Sequence, residues 1–159
     1  MIKLILLICM VAIIMAVAQG LCKQYRDRYS IFEALNDFFR QMRLNLGFQK
    51  QKIKQILNQA TIKKTNKDIY TAYLNYLEKG QTLDLSFVRV LDELEQEHIT
   101  NMLLSLGKND TAGELKQLDA YDIYLQDKIS ATKAEKDKFC PLITKLSFLF
   151  AIGLAILFI

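Results

Sequence analysis

Residues 103–159 read LLSLGKNDTAGELKQLDAYDIYLQDKISATKAEKDKFCPLITKLSFLFAIGLAILFI, a polar stretch that passes without a loop into an apolar end. Thr111 and Glu114 have the spacing of a capping box, in which a hydroxyl accepts from a first-turn amide and the carboxylate reaches back to the cap amide. A helix is expected to start there. Beyond that box no Gly or Pro occurs before Pro141. Leu115, Leu118, Tyr121 or Asp122, Leu125 and Ile129 recur at three- and four-residue intervals, which makes one face mostly apolar. After Lys145 only Ser147 is polar. The expected element is one helix with one end in water and the other in lipid. Proline removes an amide donor and crowds the preceding turn, so a kink over 137–140 is expected.

The N-terminal end has a matching run. Residues 1–21 are apolar except for Lys3, Gln19 and Gly20, and about twenty residues suffice to cross a hydrocarbon core of about 30 Å. The rival reading is a cleaved signal peptide, with Lys3 as its basic start and Ala16-Val17-Ala18 as a small-residue cleavage site. That alternative makes the chain a secreted or surface-attached helical protein with a hydrophobic C-terminal tail. Lys23, Arg26 and Arg28 follow the run and outnumber Lys3 with the amino terminus. Basic residues gather on the cytoplasmic side, which favours a retained anchor with its N-terminus outside. Lys133, Lys136, Lys138 and Lys145 precede the second run and place the middle of the chain on the same side. Residues 146–159 are short for a crossing, which requires Lys145 to snorkel toward the headgroups or the bilayer to thin. Small residues on one face of each run, Ala12, Ala16 and Gly20 in the first and Ala151 and Ala155 in the second, with Gly153 between them, would permit close packing of the two membrane helices.

These boundaries divide the 159 residues into an N-terminal anchor (1–21), a soluble cytoplasmic segment (22–141) and a C-terminal anchor (142–159). The soluble segment has the size of one domain. A net charge of +4, made of interspersed acids and bases, is not the basic face of a nucleic-acid binder. The three cysteines, Cys9, Cys22 and Cys140, form no C-x-x-C pair and have no His beside them, so neither a zinc nor a redox motif is present. Cys22 and Cys140 flank the two membrane runs, and on the cytoplasmic face they are expected as free thiols.

The soluble segment reads as helices. Tyr25, Tyr29, Phe32, Leu35, Phe39, Met42 and Leu46 step by three and four, with Phe38 widening the stripe. An aromatic stripe at helical spacing is core far more often than a stacking platform. Gly47 breaks the pattern before a second helix over 49–59, which carries Ile53 and Ile56. A third is expected over 65–77, with Ile69, Tyr70, Tyr73 and Leu77 on one face and Gly80 as its stop. Residues 83–91 and 94–106 give two more, the latter ending at Gly107. No run alternates with period two, so no sheet is expected. The fold class is all-α: a bundle of about six helices flanked by N- and C-terminal transmembrane helices.

Catalytic chemistry has no foothold. His98 is the single histidine and has no partner at the four-residue spacing of a zinc-binding pair. Glu93, Glu95 and Glu97 are two apart and point to different sides of a helix. Neither a phosphate-binding G-x-x-x-x-G-K nor a nucleophile G-x-S-x-G occurs. No enzyme activity, cofactor, metal, nucleic acid or small-molecule substrate is expected.

An anchor followed at once by basic residues, a helical middle, then L-G-x-x-D at Leu106, Gly107 and Asp110, and a long helix entering a second anchor with Gly153-Leu154 near its centre resembles the stage III sporulation protein AB family. The similarity covers nearly the full length. Two departures are Glu114, where relatives tend to carry Gln, and residues 38–42, which read FFRQM where an acidic L-E-x-E-I-like stretch is common. The resemblance implies a soluble part similar to the cytoplasmic domains of the type II secretion inner-membrane platform (GspF-like). It also implies a scaffold in a complex between mother cell and forespore, anchored in the forespore's outer membrane with its helical part in the mother-cell cytoplasm. The partners it implies are a secretion-type ATPase, stage III sporulation protein AA, and the other stage III A proteins. Leu106, Gly107, Asp110 and Glu114 then form a structural or interaction motif. Gly107 ends one helix in a left-handed conformation, and Asp110 or Thr111 caps the next.

Overall fold

The computed structural model describes residues 2–44, Leu57 and 66–158. Among them the chain is helical with connecting turns and no strand. Four helices are delimited: α1 (Ile2–Leu44), α2 (Lys67–Lys79), α3 (Glu93–Ser105) and α4 (Thr111–Phe158). The 43 residues of α1 and 48 of α4 correspond to about 65 and 70 Å at 1.5 Å per residue. Each is therefore more than twice as long as a hydrocarbon core is thick. Both run unbroken through the expected boundaries near residues 21 and 141, so each anchor and its neighbouring bundle helix are one element. α4 stays helical through Pro141.

The two long helices are antiparallel. Cys22 meets Cys140, Arg28 meets Glu135 and Arg43 meets Asp119, partners that ascend along one helix and descend along the other. The apolar ends consequently lie side by side. On α1 the buried positions Ala18, Cys22, Ile31, Phe32, Leu35, Phe38 and Phe39 continue one stripe from the apolar end into the core. Leu118, Leu125, Thr132 and Ala151 do the same on α4, with stacked Tyr25 and Phe139 between the two at 5.5 Å. The face of α4 opens at Glu114 in place of the expected Leu115, which is 36% exposed.

The core sits at the end away from the apolar runs, where α2 and α3 cover the long pair. Ile69, Tyr70 and Tyr73 of α2, Ile99, Met102 and Leu103 of α3, and Leu57 are all buried with the α1 aromatics. Two hydrogen bonds fasten α2 along one ridge of α1: Asn66 Nδ2 donates to the Ser30 carbonyl at 3.3 Å and Tyr70 Oη to that of Ala34 at 2.9 Å. Burial raises the Tyr70 phenol well above its ordinary pKa, which keeps it a neutral donor. Gly80, at φ +66°, ends α2 as its position predicts, with its N–H on the Tyr76 carbonyl.

Of the six expected helices, the one over 83–91 is not formed. Residues 83–91 form turns, although Leu83, Leu85, Val88 and Leu91 are buried as a helix face would be. Side chains supply the backbone partners that a helix would otherwise provide. The Asp84 carboxylate accepts from Ser86 N–H at 2.8 Å and from its hydroxyl at 2.9 Å, while Gln96 Nε2 donates to the carbonyls of Val88 and Leu91. The helix expected over 49–59 and its break at Gly47 lie outside the described residues, apart from buried Leu57.

α3 stops at Gly107, which has φ +73° and whose added Cβ would meet nothing within 4 Å. Its requirement is therefore conformational rather than steric. Gly107→Val is expected to destabilise the protein by about 1 kcal/mol or more, from the cost of a branched residue in the left-handed region. Denaturant unfolding of the full chain in detergent, followed by far-ultraviolet circular dichroism, measures it; an unchanged midpoint would remove the helix-stop role.

Candidate functional site

The L-G-x-x-D stretch folds into the corner between α3 and α4. Leu106 is buried, while residues 107–110 are exposed. Asp110 Oδ1 accepts from the Gly113 N–H at 3.2 Å, and the Asp110 carbonyl takes the Glu114 N–H at 2.9 Å. Asp110 therefore caps α4. Glu114, expected to reach back to the cap amide, instead crosses the corner and accepts from the Gly107 N–H at 3.0 Å. One carboxylate thus fixes the end of α3 against the start of α4, and Ser105 Oγ adds a 2.7 Å contact to Tyr121 Oη. Gly113 was missed in the sequence: a Cβ there would lie 2.7 Å from the capping Asp110 oxygen. The motif residues do come together, as a structural corner.

The expected small-residue faces are divided. Ala151 is buried and Ala155 partly so, but Ala12, Ala16, Gly20 and Gly153 are exposed. On α1 the seam uses Ala18 and Cys22 instead, two residues on and so on the opposite side of the helix. α1 and α4 each contain a stretch long and apolar enough to cross a membrane, and these stretches are almost entirely unburied. Ile8, Ile13, Val17, Leu146, Phe148 and Leu149 are among the large apolar side chains exposed there. A water-soluble core helix would hide such residues; a bilayer accepts them.

Where α3 begins against the long pair lies a charged cluster that sequence reasoning did not find. The Glu95 side chain is only 1% exposed. Its Oε1 accepts from Arg28 Nη2 and Lys128 Nζ, each at 2.7 Å. Arg28 lies on α1, Glu95 on α3 and Lys128 on α4, so one carboxylate ties three helices. Arg28 also reaches Glu135 at 3.2 Å and Asp92 at 3.8 Å. Burial alone would raise the Glu95 carboxyl, but the hydrogen bonds and charges of Arg28 and Lys128 outweigh it and hold the pKa below its ordinary value. Glu95 is placed by its own helix start, a capping box with Asp92 in which Asp92 Oδ1 accepts from Glu95 N–H at 2.7 Å. The D-E-L-E spacing at 92–95 was a visible signal for the box. Nothing local pointed to partners at 28 and 128.

His98 is exposed and stacks on Tyr124 at 4.9 Å. Among the described residues no group of three or more His, Cys, Asp or Glu could hold a metal ion. Every carboxylate in the cluster faces a cation or caps a helix, an arrangement that joins helices and offers no poised base or nucleophile.

A family model described as Stage III sporulation protein AB matches residues 3–159. No curated protein and no solved structure matches the chain.

Glu95→Gln is expected to destabilise the protein by about 2 kcal/mol, since it leaves two partly buried cations facing a neutral amide. The pH dependence has a definite sign. The folded-state pKa of Glu95 lies below its ordinary 4.5, so its contribution is present above pH 4.5 and is lost as the pH falls through the folded value. Thermal unfolding of the full chain against pH should therefore show an acid limb below pH 4.5 that is shallower in Glu95→Gln. Equal limbs would contradict the assignment.

Proposed function

The chain belongs to the stage III sporulation protein AB family, a sporulation family and not a known family of enzymes, and from that premise we propose that it is a membrane platform of a secretion-like complex between mother cell and forespore. In this reading α1 and α4 anchor it in the forespore's outer membrane, and residues 22–141 lie in the mother-cell cytoplasm. The soluble part, a GspF-like domain on this proposal, docks the secretion-type ATPase stage III sporulation protein AA and contacts other stage III A proteins.

The observation that carries the proposal is the continuity of α1 and α4. Each runs without interruption from the apolar end to the core, and the two are joined along the way by the thiol pair, the Arg28–Glu95–Lys128 cluster and the buried aromatics. Between the apolar end and the core both helices are continuous, α4 through Pro141. A load or partner applied at the α2–α3 end is thus connected to the membrane by two paired continuous helices. Such a body suits holding and transmission. The basic residues that set the orientation, Arg26, Lys133, Lys136 and Lys138, all lie on the soluble side of the apolar stretches.

The test is affinity capture with the full chain in detergent as bait. Stage III sporulation protein AA should be retained from solution by the intact chain and by a variant with Ala12 and Ala16 replaced by Leu, which alters only an exposed face of the membrane helix. Absence of retention by either bait would refute the docking role.

A further inference from the structure

Beside the α1–α4 seam lies an open groove of about 960 Å³. Its lining includes Cys22 and Cys140, which face each other where the apolar ends give way to charged residues: Cys22 Sγ reaches the Cys140 carbonyl at 3.5 Å and Cys140 Sγ the Cys22 carbonyl at 3.6 Å. That level is the edge of the bilayer if the apolar stretches cross it. The inference rests on that membrane reading and on nothing about the soluble partners.

Three cations line the groove, Arg26, Lys136 and Lys145, with two carboxylates, Glu33 and Asp137, on its water side. Lys136 is engaged by Asp137 at 3.5 Å and by the Tyr29 ring at 4.3 Å. Arg26 and Lys145 approach from opposite ends. Arg26 lies one turn to the water side of Cys22, and Lys145 just over one turn to the membrane side of Cys140. Helical side chains lean toward the N-terminus of their own helix. In this antiparallel pair that lean favours Arg26 reaching toward the membrane and Lys145 toward water, which puts the level of the thiols within reach of both. Deeper in the same groove, Gln19 and Thr144 place an amide and a hydroxyl inside an otherwise apolar stretch. The Thr144 hydroxyl donates to the Cys140 carbonyl at 2.9 Å, so at that depth the Gln19 amide is the group that calls for a polar partner.

We propose that this groove is a binding site for one anionic phospholipid. Its phosphate sits between Arg26 and Lys145, its glycerol region beside Gln19 and Thr144, and its acyl chains continue along the exposed apolar surface of α4. The match is one of charge and depth together. A zwitterionic headgroup brings its own cation to the phosphate and so competes poorly for the two bases. A helix from a second copy would bury Gln19, Arg26 and Lys145 without supplying the anion they face.

Native mass spectrometry of the full chain, purified in detergent with equimolar phosphatidylglycerol and phosphatidylcholine, reads the occupant directly. Wild-type protein should retain phosphatidylglycerol in preference to phosphatidylcholine. R26Q/K145Q should lower that retention by about tenfold, since each basic group near a headgroup is a substantial part of the attraction. Thr144→Phe, which fills the groove at unchanged charge, should lower it as well. K133Q/K138Q removes the same charge from exposed positions outside the groove and should leave retention unchanged. Equal retention of the two lipids, a loss in the outside variant as large as in R26Q/K145Q, or self-association in place of lipid would overturn the site. Release of the wild-type chain from membranes by alkaline carbonate would overturn the membrane reading itself, and the site with it.

Discussion

Everything in this molecule depends on one antiparallel register, that of α1 against α4. Because Cys22 sits opposite Cys140, the two apolar ends emerge from the same level, and because the register continues upward, Arg28 falls beside Glu135 and Arg43 beside Asp119. A shift of one turn would separate these pairs and move the buried stripe of α1 off its partner. The register also decides what α2 and α3 can do. Each is 13 residues long, near the length at which an isolated helix is marginal in water. They are stable here as covers on a platform that the long pair provides.

Two kinds of force hold that platform. The core end is apolar, with Phe32, Phe38, Phe39 and Tyr73 almost fully buried. Below it the Glu95 carboxylate gathers Arg28 and Lys128 in a half-sealed position. Such a buried charge adds little net stability against a hydrophobic replacement, yet removing one member is costly because the others remain. Its effect is directional: an apolar contact tolerates sliding, whereas two 2.7 Å hydrogen bonds to one oxygen fix the height of α3 on the long pair. The corner at Gly107 and Glu114 fixes the other end of α3.

Sequence patterns made some of this legible. The aromatic stripe from Tyr25 to Met42 marked the buried face of α1, and Gly80 and Gly107 marked helix stops, because those signals are local in the chain. The turns over 83–91 were hidden, since apolar residues at helical spacing also suit a folded loop whose carbonyls are met from Gln96. The Glu95 cluster was hidden for a related reason: its partners are distant in sequence, and a carboxylate on a helix surface has no pattern that foretells burial. The seam between the apolar ends was expected on the wrong side of α1, since Ala12, Ala16 and Gly20 share a face about half a turn from Ala18 and Cys22, and small size alone does not orient a helix whose upper half is already fixed by Phe32 and Phe39.

The register can be measured in the membrane. With Cys9→Ser, only Cys22 and Cys140 remain as thiols. Dibromobimane, which fluoresces when it bridges two thiols, should label membranes containing this variant and yield a single monomeric product with one bridge per chain. Two separately alkylated thiols with no bridge, or a product bridged only between chains, would contradict the antiparallel pairing on which the account stands.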